Sequence, residues 1–294
     1  MEPVKDIIPY KIPARSVNVG GAQIWRLLPY AKKRMVGPFI FFDHFPHTHF
    51  PAGQGMDVRP HPHIGLSTLS YLLEGQVLHH DSLGNKQLLT PGDVNWMTAG
   101  RGISHSERMP QDLNQHEYDI QLLQFWVALP KVSEDIEPNF THHPKSHIPH
   151  LTLNDCNISL VAGEAFGHKS PVKAYSKLFF LDVNMPEGAS FEFDPQDQEM
   201  AFYVVGGEVA VDGVNYNQYD FIVMPFKEKL KVLALQGSRL MVLGGHVLPE
   251  ERLIYWNFVS SSKQKIEEAK EAWRDGSFPQ VPGETDIIPL PPDK

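Results

Sequence analysis

The chain has 294 residues, 41% of them hydrophobic and 21% charged, which are the proportions of a soluble globular protein with one large or two ordinary domains. No apolar run approaches the roughly 18–20 residues needed to cross a bilayer, and a lone cysteine, Cys156, excludes an intrachain disulfide. A formal net charge of −9, a pI near 5.9 and the lack of a Lys/Arg cluster argue against direct binding to nucleic acid or to membranes.

Residues 1–13 mix charges and prolines and lack the apolar stretch of a secretory leader. With the single cysteine, this points to the reducing cytoplasm. The first chemistry-bearing triplet is His61-Pro62-His63. On a strand, side chains alternate faces with a period of two, so these imidazoles point the same way. A run rich in β-branched and aromatic residues follows at 67–73, and turn signals stand at Glu74-Gly75, Gly84-Asn85 and Pro91-Gly92-Asp93. The second triplet, His105-Ser106-Glu107, again places two metal-binding side chains at i and i+2. Residues 130–176 are rich in His and Pro. Further strand-like runs lie at 178–183, 202–205, 220–224 and 240–243, separated by Pro186-Glu187-Gly188, Gly206-Gly207 and Asp212-Gly213. This is the pattern of an all-β sandwich or barrel. One helix is predicted, with Ile266, Ala269 and Trp273 at i, i+3 and i+7 after Ser260-Ser261-Ser262 and with Gly276 as its stop.

An internal repeat organises these runs. Tyr71-Leu72-Leu73-Glu74-Gly75-Gln76-Val77 resembles Tyr203-Val204-Val205-Gly206-Gly207-Glu208-Val209, and Asp93-Val94-Asn95-Trp96-Met97 resembles Asp220-Phe221-Ile222-Val223-Met224. Two copies of one β-unit follow, at 1–130 and 176–294, with 131–175 as a linker plus exchanged strands and the helix at the C-terminus. His61 and His63 lie ten and eight residues before Tyr71, and the same offsets from Tyr203 give Phe193 and Pro195. His105 and Glu107 lie eight and ten residues after Met97, and the same offsets from Met224 give Val232 and Ala234. None of these four can bind a metal, so one candidate site is expected, in the N-terminal copy.

If the two triplets lie on neighbouring strands, three imidazoles and one carboxylate meet at a point. That donor set suits a divalent first-row metal and leaves positions open for chemistry. The plain alternatives are an edge marker for Pro62 and a solvated loop pair for His105 and Glu107. The pairs His47/His49, His79/His80 and His142/His143 read as chance neighbours among the 15 histidines.

Gly55 precedes His61 by six residues, as in the first cupin motif, and Pro91-Gly92-Asp93 sits upstream of His105, as in the second. Two stretches, Gly37-Pro38-Phe39 through Phe45 and Arg59-Pro60-His61-Pro62-His63-Ile64-Gly65, resemble the pirin family. So do Tyr71 to Gly75 and, above all, Trp96-Met97-Thr98-Ala99-Gly100-Arg101-Gly102-Ile103-Ser104-His105-Ser106-Glu107. The resemblance implies a bicupin, two jelly-roll-like β-barrels in one chain, with metal only in the N-terminal barrel. It implies His61, His63, His105 and Glu107 as ligands of one divalent metal. Iron(II) is the first choice, and zinc, manganese, cobalt, nickel or copper are acceptable. General cupins and most pirins carry a glutamate four or five residues after the second histidine, where this chain has Ser67 and Thr68. The resemblance also implies quercetin 2,3-dioxygenase activity, in which a flavonol is opened by O2 with release of carbon monoxide. In that reading Glu107 takes the flavonol's hydroxyl proton, and 39–42 supply either pocket wall or ordinary barrel core. The competing reading is an iron-bearing, redox-sensitive regulator that binds transcription factors or metabolic enzymes. Two barrels in one chain make a monomer the expected state.

Overall fold

The computed structural model describes residues 8–292. The first seven residues of the 1–13 stretch lie outside them. The described chain is all-β, its strands forming two barrels, with one α-helix, Lys263–Asp275. The helix begins after Ser262, buries Ile266, Ala269 and Trp273, and ends at Gly276 with φ 81°, the left-handed conformation that glycine adopts freely. No helix among the described residues is long and apolar enough to cross a membrane.

The predicted runs are strands, four of them longer than their β-rich segments, Leu66–Glu74, Leu178–Met185, Glu199–Gly206 and Ser238–Gly245, and the fifth shorter, Phe221–Val223. The four longer ones extend because ladder pairing with neighbouring strands recruits flanking residues of every type, from Glu199 and Arg239 to Met185 and Gly245.

Two compact units form, and their boundaries differ from the predicted 1–130, 131–175 and 176–294. One takes the N-terminal segment to Arg15, with Leu27–Ile40 and Ser146–Leu248. The other takes Ser16–Arg26, Phe41–Lys145 and the C-terminal segment from Pro249. Strand pairing explains the interleaving. Tyr10–Ile12 runs antiparallel to Phe221–Val223 in the first unit. Asn139–His143 pairs with Val94–Thr98 in the second. Both additions give a sheet edge its missing backbone partners. The helix was predicted as an appendage of the C-terminal copy. It buries its apolar face with Ile64, Phe258 and Phe278, inside the unit that carries the two histidine triplets.

The first unit has an apolar core built from strands such as Ser190–Phe193 and Leu230–Ala234, which pair antiparallel. Phe193, Val232 and Ala234 lie in that core. They hold the positions that the repeat equates with His61, His105 and Glu107, so the barrel is filled with hydrocarbon where its twin carries donors.

Candidate metal centre

Two antiparallel strands carry the triplets, Asp57–His63 and Ile103–Arg108. His105 pairs with His61, and Ile103 with His63. The Asp57–His63 strand is the edge of its four-stranded sheet, so Pro62, which has no N–H, costs no ladder bond on its open side. Gly65 ends this strand at φ 69°, and a Cβ there would stand 1.9 Å from the Val259 carbonyl oxygen. Only glycine lets the C-terminal segment close on the strand end this tightly.

Three imidazoles converge. Ring centroids are 4.4 Å apart for His61 and His105, 4.9 Å for His61 and His63, and 5.1 Å for His63 and His105. One ligand nitrogen from each lies within 4.8 Å of the others. All three rings are buried, and burial holds each below the ordinary histidine pKa: His61 at about 4, His63 and His105 well below 6.5. Neighbouring imidazoles reinforce the effect, because one proton in the cluster repels the next. The rings are therefore neutral at neutral pH, with lone pairs to offer. His61 Nδ1 donates to the Arg59 carbonyl at 2.9 Å, which leaves Nε2 as its lone-pair nitrogen. Nε2 of His63 and Nε2 of His105 are buried with no hydrogen-bond partner. Buried polar atoms are costly to leave unpaired. A divalent cation at the convergence point would satisfy them, and imidazole suits the first-row metals. The residues fit a metal.

Glu107 lines the same cavity but falls outside the three-histidine group. A β-bulge explains its offset: between His105 and Glu107 the register slips, so Glu107 pairs with Val58. Burial raises the Glu107 carboxyl above its ordinary pKa. Ser70 Oγ lies 2.8 Å from Glu107 Oε1 and 2.8 Å from Gln124 Oε1. One hydroxyl proton thus faces two acceptors.

The cavity measures about 480 Å³, within the ~300–1,000 Å³ of small-molecule sites. Phe41 and Trp126 form one wall, stacked at 3.9 Å and 12°. Trp126 meets His63 edge-on at 5.2 Å. Arg26 lies over Phe41 at 4.6 Å and is gripped by both oxygens of Asp43 at 2.8 and 2.7 Å. Of 39–42, Phe41 faces the cavity; Phe39, Ile40 and Phe42 are core. Arg26, Asp43, Gln124 and Trp126 were not anticipated. For Asp43, Gln124 and Trp126 the signal was spacing at i+2 along the strands Phe39–Phe50 and Tyr118–Ala128, which cannot be told from core alternation, and Arg26, on the strand Ala22–Leu28, carried none. Ser67 and Thr68 are buried, and Ser67 Oγ donates to Thr98 Oγ1 at 3.1 Å. His47 and His49 sit on the surface against Glu74 and Asp119, and His142 bonds Asn95.

Comparison with known proteins agrees with this architecture. The Pirin family model matches residues 21–127, and the Pirin C-terminal cupin domain matches 180–279. A pirin-like protein of Caulobacter vibrioides is 43% identical over 283 residues, covering 95% of this chain and 97% of the relative. The chain belongs to the pirin family. A pirin-family relative from Pseudomonas aeruginosa, named a "Putative quercetin 2,3-dioxygenase", is 36% identical, covering 90% of this chain and 84% of its own. The crystal structure of a quercetin 2,3-dioxygenase from Acinetobacter baumannii superposes with a TM-score of 0.90 at 32% identity, covering 98% of this chain and 97% of that one. The pirin fold thus extends over nearly the whole chain.

Proposed function

We propose that this pirin is a metal-dependent dioxygenase that opens flavonols with O2 and releases carbon monoxide, its metal held by His61, His63, His105 and Glu107. The observation that carries the reading is the pair of unpartnered Nε2 atoms, on His63 and His105, buried beside a cavity with an aromatic wall. The names of its relatives point the same way. A divalent ion there supplies Lewis acidity that lowers the pKa of an enol hydroxyl, and a redox-active one supports O2 chemistry. Iron(II) is therefore our first assignment.

The chain's own residues do the rest. Phe41 and Trp126 give a flat ring system a face to stack on, and so orient it. Glu107, destabilised as an anion by burial, takes the hydroxyl proton. Ser70 accommodates that change. It donates to the ionised carboxylate, and when Glu107 is protonated it accepts from Glu107 and donates to Gln124. The buried cluster keeps bulk water from competing for the same positions.

The test is elemental analysis of the purified chain, followed by flavonol absorbance and carbon monoxide release on the metal-loaded protein. Metal-dependent turnover that is lost in His63→Ala supports the reading. Absence of turnover with every redox-active first-row metal overturns it.

A further inference from the structure

His79 and His80 lie outside the donor set, and the structure separates them. They occupy the strand Val77–Asp81, which pairs with Ile103–Arg108 so that Asp81 stands opposite His105 and His79 opposite Glu107. His80 faces outward, its Nδ1 3.0 Å from Glu284. His79 faces inward, buried, with its ring stacked on Phe140 at 4.3 Å and 12°. Its Nδ1 lies 3.3 Å from His105 Nδ1, and its Nε2 lies 3.2 Å from Asp81 Oδ2. Asp81 is buried and receives further bonds from the Leu83 and Asn85 backbone N–H groups at 2.9 and 3.0 Å and from Asn85 Nδ2 at 2.8 Å.

We propose that Asp81 and His79 are positioning residues whose hydrogen-bonded relay fixes the tautomer of His105, so that Nε2 turns its lone pair to the metal. The argument is one of counting protons. A carboxylate only accepts, so the His79 nitrogen facing it, Nε2, carries the hydrogen. A neutral imidazole has one N–H, so His79 Nδ1 is an acceptor. His105 Nδ1 must then donate to it, and His105 Nε2 is left bare, aimed among His61 and His63. The opposite ordering places the bare His79 Nε2 against a carboxylate and an N–H of His105 into the metal position. Asp81 therefore selects the metal-competent tautomer through two rings. Stacking on Phe140 holds the middle ring in place between its two partners.

This inference rests on the metal reading above, and two measurements separate them. The first is the protonation pattern of the histidines by NMR of the ¹⁵N-histidine-labelled, metal-free chain. The second is zinc affinity, read by competition with a chromogenic chelator, for the parent and for Asp81→Asn, His79→Leu, His79→Gln and the outward-facing control His80→Gln. The expected results are a His105 Nδ1–H tautomer in the parent and zinc binding weakened about 10–100-fold in Asp81→Asn and His79→Leu. His79→Gln, which offers a carbonyl oxygen to His105 Nδ1–H, recovers part of the loss, and His80→Gln matches the parent. A rescue by Gln over Leu is not what a filler of space would show. A His105 Nε2–H tautomer in the parent overturns the proposal, as does equal zinc affinity across the set. A parent that takes up no zinc overturns the metal reading, and the tautomer of His105 then decides the relay by itself. If Asp81→Asn does not fold, the His79 pair still gives the answer.

Discussion

Arg252 reaches Glu134 across more than a hundred residues of sequence, its Nε 3.2 Å from Oε1, with both side chains shut off from solvent. The guanidinium also donates to the Leu129 carbonyl from Nε and Nη2 at 3.1 and 2.9 Å. Glu134 in turn accepts from the Ser261 backbone at 2.7 Å and from the Ser260 and Ser261 hydroxyls at 3.2 and 3.0 Å. This network ties the start of the C-terminal helix to the barrel that holds the histidine cluster. Removing Glu134 leaves the buried Arg252 guanidinium only Glu250, 3.5 Å away and partly exposed, as a counter-charge. Glu134→Ala should therefore lower unfolding stability by about 3–5 kcal/mol, measured by urea denaturation. A change below about 1 kcal/mol would show that water reaches Arg252 readily.

The metal-free chain should lose stability as pH falls below neutral. His44 and His61 are held by burial at about 3 and about 4 in the fold, and His63 and His105 are also depressed, whereas each titrates near 6.5 when unfolded. Between those values the unfolded chain binds more protons, so stability is full above about 6.5 and falls as pH drops toward 4. Each group contributes up to about 1.4 kcal/mol per pH unit in that window. Glu107, whose pKa is raised, opposes this with a smaller count of one group. Denaturation midpoints from pH 7.5 to 4.5 check the sign. A midpoint that stays level or rises on acidification contradicts it.

Glu107→Gln keeps the size of the side chain and removes its basicity. Turnover of flavonol should fall about 10²–10⁴-fold, with the cavity still binding the flavonol as read by quenching of tryptophan fluorescence. Unchanged turnover would transfer the base role elsewhere.

Phe41→Leu removes a stacked ring while leaving apolar bulk against Trp126. Loss of ring stacking is worth about 0.5–1.5 kcal/mol, so KM for a flavonol should rise about 2–10-fold with metal content intact. A kcat effect without a KM effect would place Phe41 in the chemistry and not in the binding.

Gly65→Ala should be severe, because its Cβ would collide with the Val259 carbonyl at a positive φ. The expected outcome is a thermal midpoint lowered by several degrees and weaker metal binding together, since the same turn ends the strand bearing His61 and His63. Metal binding at parental strength would uncouple the turn from the site.

Much of this molecule was legible in the chain. Period-two spacing put His61 with His63, and the repeat predicted a second barrel with Phe193, Val232 and Ala234 in place of donors, whereas the expected meeting of Glu107 with the three imidazoles is altered by a bulge. The helix followed from Ile266, Ala269, Trp273 and Gly276. His79 was not legible as part of any site. A histidine beside another on a strand gives no sign of which face it takes, and its partners Asp81 and His105 become neighbours only through strand pairing. The bulge between His105 and Glu107 was equally hidden, since an extra residue in a ladder depends on both strands.

The sequence by itself determined the spacing of the donor triplets, their occurrence in one copy of the repeat and an all-β fold, because those depend on residue type and on local periods of two and 3.6, while the cupin kind of barrel was implied by the resemblance to pirins. Only the tertiary structure decided which unit takes Tyr10–Ile12 and the C-terminal helix, where Glu107 stands relative to three imidazoles, and that Phe41 meets Trp126 over the cavity. Those outcomes rest on backbone pairing and ring packing between residues far apart in the chain, and no local pattern encodes which distant partner an edge strand or a buried ring will find.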